Sequence, residues 1–552
     1  MIGVVTPQSN AALTAEFFEL FKTPWEFCRR DRNYQVVLYI GTLPASRFPA
    51  SLTVIYSGDL WPMDDPEVGW ALDALQQGRD ISSDSLEFAL YGKCCTFEKV
   101  AVPLLCESES GRAVAFEKRA GAERVVRVGY DLLDECRFLV EEGQPAAKAG
   151  VAALDCHIEF LRQLINAQGF EWAEVPPVPS GYRFFAALTH DVDHPSLRLH
   201  GLDHTALGFL YRATAGSLWD AIRRRLPVRL MLRNWLAALK FPFVHLGLTA
   251  DFWRTFVTYP DRERCRSTYF VLPFRRVAGR TESQAAPAYR ASAYGASDIA
   301  GEIRALQSKG CEIALHGIDA WIDLQSARSE LSEIRRLTGT QEIGVRMHWL
   351  YFGHQSHATL ERAGADYDST VGFNTTVGFR AGTGQVFKPL QVERLLELPL
   401  IVMDTALFYA SHLDLTPPEA QQRVGGLLRQ LEVHGGSLTI NWHDRSLSPE
   451  RQWGRFYFDL LDELRNRGAW MGTATQVVSW FRHRRKVTFA AGAPDPGSFR
   501  ACLPGPPDGL PGFMLRLHRG DGSFQDLPLE AGTPVAVTAI GLSTSAPSRK
   551  DD

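Results

Sequence analysis

The stretch that decides the fold is Phe184–His194, FFAALTHDVDH, an apolar run ending in two carboxylates two positions apart with a histidine on either side. Read as a strand, Phe185–Leu188 is buried and the chain leaves its sheet at Thr189. Side chains alternate faces along extended backbone, so Asp191 and Asp193 point the same way. Two like charges side by side are unfavourable unless something positive sits between or beside them. A metal ion, with one carboxylate as ligand and the other kept free for proton transfer, meets that need. The alternative is a polar strand-to-loop turn whose aspartates cap backbone amides, and the rest of the chain has to decide between them.

At 552 residues the chain is too long for one ordinary core, which predicts two or three domains. A 45% hydrophobic and 22% charged composition makes it globular, and a formal net charge of −4 gives no general argument for nucleic acid. Its nine cysteines are scattered, odd in number and mostly inside apolar runs, the pattern of reduced, buried thiols. The adjacent Cys94 and Cys95 lack a CxxC partner and read as packing. The N-terminus has neither a basic leader nor a long apolar run, and no stretch reaches the roughly 18 apolar residues of a spanning helix. A soluble, cytoplasmic protein is expected.

Upstream of the opening stretch, residues 1–175 read as an α/β domain. Ile2–Val5, Tyr34–Ile40 and Leu52–Tyr56 are strands, the last two near-continuous β-branched runs of the buried parallel type. Thr14–Phe21, Tyr130–Leu139 and Val151–Ala167 have helical spacing. With no glycine fingerprint, nucleophile elbow or ligand cluster, this part reads as a scaffold or partner-binding domain. Pro176–Tyr182, PPVPSGY, is a linker.

Downstream, 197–258 is helical in pattern, aromatic and basic. Within 219–243, Arg223, Arg224, Arg225, Arg229, Arg233 and Lys240 alternate with leucines and tryptophans. Such an element can lie on an anionic membrane or cradle a lipid-linked substrate, or simply be the solvated face of a packed helix. From Cys265 strand–helix alternation resumes. Ser267–Leu272, Cys311–Leu315, Ile343–Val345, Tyr367–Val371, Leu396–Val402, Ser437–Asn441 and Trp470–Thr473 read as strands with helical spacers between several of them. The expected fold is therefore α/β, a deformed (β/α) barrel of about seven to eight strands over 176–486, whose C-terminal rim carries the site. Residues 487–542 read as a small β appendage and 543–552 as a disordered tail.

Five rim elements line up in order: LTHDVDH (188–194), EIALHG (312–317), GVRMHW (344–349), YDSTVGF with GFRAGT (367–383) and TINWHD (439–444). Over about Phe184–Phe481 this series resembles the NodB-type polysaccharide deacetylases, carbohydrate esterase family four. The likeness is to the divergent bacterial branch with an extra N-terminal α/β domain. It implies a metal-dependent site that removes an N-acetyl or O-acetyl group from a sugar. Carried over residue by residue, it implies Asp191 as general base and Asp193 as metal ligand. His316 becomes a metal ligand, Arg346 orients the base, the Trp349 backbone amide faces the oxyanion, and His443 is the general acid. Asp368 and Arg380 are expected to contact the sugar or fix the rim, and Asp404 to shape the groove floor or orient a neighbour.

The sequence departs from the family pattern in two places. A second histidine is expected four residues after His316, where this chain has Ala320; a proline is expected two after Arg346, where it has His348. These changes read as coupled. His348, one strand over, replaces the missing ligand, and Asp193, His316 and His348 give one carboxylate and two imidazoles, suited to zinc or a similar divalent ion. His190, His194 and Asp319 are reserve ligands; His354, His357 and His412 are surface or supporting residues. The expected activity is deacetylation of a cell-surface or exopolysaccharide precursor. The competing readings are a non-sugar amide hydrolase and a barrel that has lost catalysis and binds glycan or a partner.

Overall fold

Strand β1, Phe184–Val192, is buried along its whole length. It runs further than expected: the chain does not leave the sheet at Thr189, because Thr189–Val192 pairs with Thr268–Val271. Asp191 therefore sits on a strand held on both sides. In a computed structural model, the structure describes residues 1–42, 47–61, 64, 70–73, 78–120, 123–491, 499–503, 509–530, 532, 535–538 and 541–543. The chain divides into two units, Tyr182–Arg380 with Val386–Val478, and Met1–Gly181 with Ala381–Gln385 and Ser479–Asp552.

The first of these units holds β1 and eight further strands. They are β2 (Thr268–Val271), β3 (Glu312–Gly317), β4 (Val345–Met347), β5 (Tyr367–Asp368), β6 (Leu396–Glu397), β7 (Val402–Met403), β8 (Ser437–Asn441) and β9 (Ala469–Gly472). All pair in parallel, in the order β6-β5-β4-β3-β2-β1-β8-β7, with β9 beside the first half of β1. Strands β6 and β7 are the two ends of one run. Leu398 N donates to Asp368 O on β5 (2.8 Å) and Ile401 N to Thr439 O on β8 (3.1 Å). Both edges of the sheet thus meet on a single stretch of chain, which curls it into the expected deformed barrel.

Helices Ala300–Ser308, Leu324–Thr338, Ser356–Ala363, Pro417–His434 and Gly454–Asn466 alternate with these strands. Their ends follow local chemistry. The Asp323 carboxylate accepts from Ser326 N (2.8 Å) to start Leu324–Thr338, and Gly339, at φ 71°, ends it in the left-handed conformation glycine tolerates. Between β1 and β2 lies the helical insertion, with helices His204–Tyr211, Ser217–Ile222 and Val228–His245. Leu197, Phe209, Ala213, Ala237, Val244 and Trp253 form its own small core.

The other unit carries the expected strands Ile2–Val5, Val36–Ile40 and Leu52–Tyr56, paired in parallel. Beyond Glu123–Val128 the same sheet turns antiparallel through Ala113–Ala120, Pro103–Glu107, Arg79–Ser82 and Glu87–Leu90. Those strands escaped sequence reading because they lack continuous apolar runs: Ala113–Ala120, AVAFEKRA, is apolar for half its length and charged for the rest. Cys94 and Cys95 are buried within a strand, and all nine cysteines are free thiols. Phe513–His518 pairs with Trp172–Glu174, so these C-terminal strands share a unit with the N-terminal sheet. Ser543, where the tail was expected to begin, ends the strand Gly541–Ser543; residues 544–552, and the end of the expected strand Val535–Ile540, lie outside the described residues.

Candidate active site

Thr189 and Asp191 share one face of β1, as the alternation of a strand requires, and both meet Arg346 from β4. Arg346 Nη1 donates to Thr189 Oγ1 (2.7 Å) and Asp191 Oδ1 (3.1 Å), while Nε and Nη2 bond Ser369 O and Oγ (3.0 and 2.9 Å). The guanidinium is fully buried and lies over the Phe270 ring at 4.3 Å. The other carboxylate oxygen, Asp191 Oδ2, accepts from Asn441 Nδ2 (2.7 Å), and Asn441 Oδ1 accepts from Asp191 N (3.1 Å). Asp191 is thus oriented from both sides.

Asp193 lies just past the strand end, and its surroundings differ. Its Oδ1 is buried with no hydrogen-bond partner. That oxygen faces His316 Nε2 at 3.4 Å and His348 Nε2 at 3.8 Å, and the three ligand atoms lie within 4.8 Å of one another. His316 Nδ1 is 2.9 Å from Arg346 O. A carbonyl only accepts, so the proton sits on Nδ1 and the Nε2 lone pair is turned toward Asp193. Burial lowers the pKa of His348 far enough to keep it neutral despite the Asp193 charge. An orphaned buried oxygen facing two imidazoles fits a divalent cation: Asp193, His316 and His348 could hold one.

His348 is aimed by its backbone. Trp349 and Leu350 follow it at φ 64° and 52°, a left-handed turn costing roughly 1–2 kcal/mol per residue. Arg290 stabilises that turn, its Nη2 donating to His348 O (2.8 Å) and Ile318 O (3.1 Å). Trp349 is half-buried, with its ring 5.5 Å from that of Tyr289.

On the opposite side of Asp193, His443 Nε2 is 3.7 Å from Asp193 Oδ2. Its Nδ1 is 2.6 Å from Asp404 Oδ1, and its backbone N donates to Asp404 Oδ2 (2.8 Å), which also accepts from Ser446 Oγ. Burial alone would lower the His443 pKa; Asp404, then Asp193 and Asp191, overcome this and push it up to about 10. His443 is therefore an imidazolium at neutral pH, with its free N–H toward Asp193. Of the two functions expected for Asp404, orienting a neighbour is the one its contacts describe.

Other expected residues fall elsewhere. Asp368 is fully buried: it accepts from Ser369 N (2.9 Å) and Thr370 Oγ1 (2.5 Å) and lies 3.6 Å from His357, with which, and with Glu397, it forms a second group of possible ligands apart from Asp193. Its strand partner Val345 is next to the inward-pointing Arg346, so Asp368 must point outward, toward the helix carrying His357. His357 is buried against Glu397 (3.2 Å), not at the surface. Arg380 donates to Gly372 O (2.9 Å) and braces a rim loop. His190 is spent between Trp442 O (2.7 Å) and Glu263 (2.8 Å), and Asp319 on Arg280 N (2.8 Å). His194 donates its backbone N to Asp444 (2.7 Å) and stands outside the ligand triad. His354 is exposed beside Gln391, and His412 bonds Thr405 O.

Two contributors were missed. Asn441 was legible, because it precedes His443 by two on the same strand end and so shares its face. Arg290 was not, since it comes from an irregular loop with no periodicity to place it.

No family model and no curated protein matches the chain. Among solved structures it is similar to a Mycobacterium smegmatis protein assigned as a polysaccharide deacetylase (17% identity, TM-score 0.35, 58% of this chain and 100% of that one). It is also similar to Puue allantoinase (14%, 0.34, 56% and 93%). A third similarity is to the Xyl-CE4 domain of a multidomain xylanase from the hindgut metagenome of Trinervitermes trinervoides (13%, 0.24, 54% and 91%). With TM-scores this low none of them bears on the chemistry, which rests on the residues themselves.

Proposed function

We propose that this chain is a metal-dependent hydrolase that removes N-acetyl or O-acetyl groups from a carbohydrate, a cell-surface or exopolysaccharide precursor. The observation that carries the reading is the unpartnered Asp193 Oδ1 facing two imidazole Nε2 atoms, with an Arg-held carboxylate on one side and an Asp-held imidazolium on the other. Asp193, His316 and His348 would hold the ion, zinc by donor type. When bound, such an ion supplies Lewis acidity, which makes water nucleophilic at neutral pH and polarises an acyl oxygen. Asp191, fixed by Arg346 and Asn441, takes the proton at its carboxylate. The Trp349 amide donates to the developing oxyanion. His443, kept charged by Asp404, delivers a proton to the departing amine or alcohol. Acetate release from a panel of acetylated sugars and non-sugar amides tests the reading. Release from sugars, lost in Asp191→Asn, supports it; release only from other amides, or none from a zinc-loaded chain, overturns it.

The insertion supports an anionic membrane surface as the place of action. Val228, Leu232, Trp235, Leu239, Phe243 and Leu246 recur at helical spacing, yet all are exposed, Leu239 and Leu246 at 69% and 70%. Among the described residues, 14 of the 21 exposed large apolar side chains fall in 202–248. Arg223, Arg224, Arg229, Arg233 and Lys240 flank the stripe, a charge complement to acidic lipid headgroups. No described helix is long and apolar enough to cross a membrane, so the contact would be peripheral.

A further inference from the structure

The loop that leaves β8 through His443 carries two buried arginines, Arg445 (5% exposed) and Arg451 (8%), and Arg212 of the insertion joins them. Nε and Nη1 of both Arg445 and Arg451, and Nε of Arg212, are buried without a hydrogen-bond partner. Aromatic rings back the guanidiniums: Arg445 lies 4.6 Å over Trp253, and Arg451 4.9 Å over Trp453 and 5.2 Å over Tyr409. Among the described residues, Arg451 Nη2 donates to the Tyr409 hydroxyl (2.5 Å). Tyr409 reports how close the group is to the site. Burial opposes ionisation of its phenol, but Arg451, Arg445, His443 and Arg212 together pull its pKa down.

The acids nearby do not neutralise this cluster. Asp404 is committed to His443 and Ser446, and Asp444 to the backbone amides of His194 and Arg445. Glu450 is within electrostatic reach of all three arginines, but both its oxygens are likewise unpartnered. Three guanidiniums thus face one carboxylate, that of Glu450, that has no hydrogen-bond partner of its own. Buried cations with unmade hydrogen bonds need an anion, and planar forks match the tetrahedral oxyanion of a phosphoryl group.

We propose that Arg212, Arg445 and Arg451 form a phosphoryl-binding subsite beside His443, so that the substrate carries a phosphate or pyrophosphate ester near its leaving amine or alcohol. The substrate part of this inference rests on the deacetylase reading; the anion site itself does not. Binding is therefore measured without turnover, by titrating the zinc-loaded full chain with inorganic phosphate and pyrophosphate and following calorimetry and the fluorescence of Trp253 and Trp453. One saturable site is expected, weakened tenfold or more in Arg445→Gln and in Arg451→Gln. Arg445→Lys and Arg451→Lys, which keep the charge and lose the fork, should be intermediate; Arg304→Gln, exposed on helix Ala300–Ser308, should bind as wild type. Absence of saturable binding, or equal weakening by Arg304→Gln, would overturn the subsite. Circular dichroism of each variant separates lost binding from lost fold, and a misfolded glutamine variant leaves the lysine pair to decide.

Turnover then tests the substrate. Acetate release should be at least tenfold more efficient, in kcat/KM, from a phosphorylated acetylated sugar than from the free sugar; Arg451→Gln should erase the preference and Arg451→Lys reduce it. A water-soluble N-acetylhexosamine 1-phosphate and the same sugar on a prenyl pyrophosphate distinguish the two sources of the phosphoryl group. Phosphate binding with no acetate release from any sugar would leave the anion site standing and overturn the deacetylase reading. Acetate release with no preference would overturn the phosphoryl substrate.

Discussion

Asp191 and Asp193 are two positions apart and chemically unlike, and the difference lies in what the neighbouring strands bring to each. Asp191 has its oxygens taken by Arg346 and Asn441, whereas Asp193 offers a bare oxygen to two histidines. Asp191→Asn should therefore retain zinc while losing about 10²–10⁴-fold in kcat, the range for removing a general base; zinc content and acetate release on the same sample check both halves. Arg346→Ala strands a buried carboxylate and should cost about 3–5 kcal/mol in urea unfolding. Asp404→Asn removes the charge that keeps His443 protonated. It should lower kcat on the order of 10²-fold and move the alkaline limb of the pH–rate profile to lower pH, with little change in KM.

At the scale of the element, the burial of β1 and the order of the rim motifs were legible, because apolar runs ending in polar side chains declare barrel strands. The grouping of His316 and His348 with Asp193 was legible for the same reason, since all three lie at strand ends. The outward orientation of Asp368 was not, because a two-residue strand shows no alternation; only its pairing with Val345 fixes its face. Behind that strand, burial first and then the Glu397 charge push Asp368 up to about 8; burial pushes Glu397 up to about 7 and His357 down to about 4. Raised carboxyl pKa values contribute stability that is present below the unfolded values and lost as pH rises through the folded ones. The lowered histidine pKa acts in the opposite sense only below its unfolded value of about 6.5. Unfolding free energy should thus fall from about pH 4 to 8, less steeply below about pH 6.5 where the histidine opposes the two carboxyls, and Glu397→Gln should flatten that fall in denaturant titrations. For the insertion, Leu232→Glu with Leu239→Glu should abolish cosedimentation with phosphatidylglycerol vesicles and leave phosphatidylcholine controls unchanged.

Across the whole molecule, the barrel was read from its sequence because parallel strands buried on both faces leave continuous apolar runs. The antiparallel half of the other unit escaped because half-exposed strands do not. Closure of the barrel by Leu396–Met403 is likewise invisible in a sequence, where that stretch reads as one strand and not as the meeting point of two edges. What the barrel accomplishes is to bring two strand ends, far from the first in sequence, to one oxygen of Asp193, and the central claim is that this point holds a metal ion. The direct measurement is the zinc content of the full chain, stripped with chelator, resupplied and washed, by mass spectrometry for wild type and His348→Ala. One zinc per chain in wild type, lost in a folded His348→Ala, is the predicted result. No zinc retained by wild type, or full retention by His348→Ala, would contradict it.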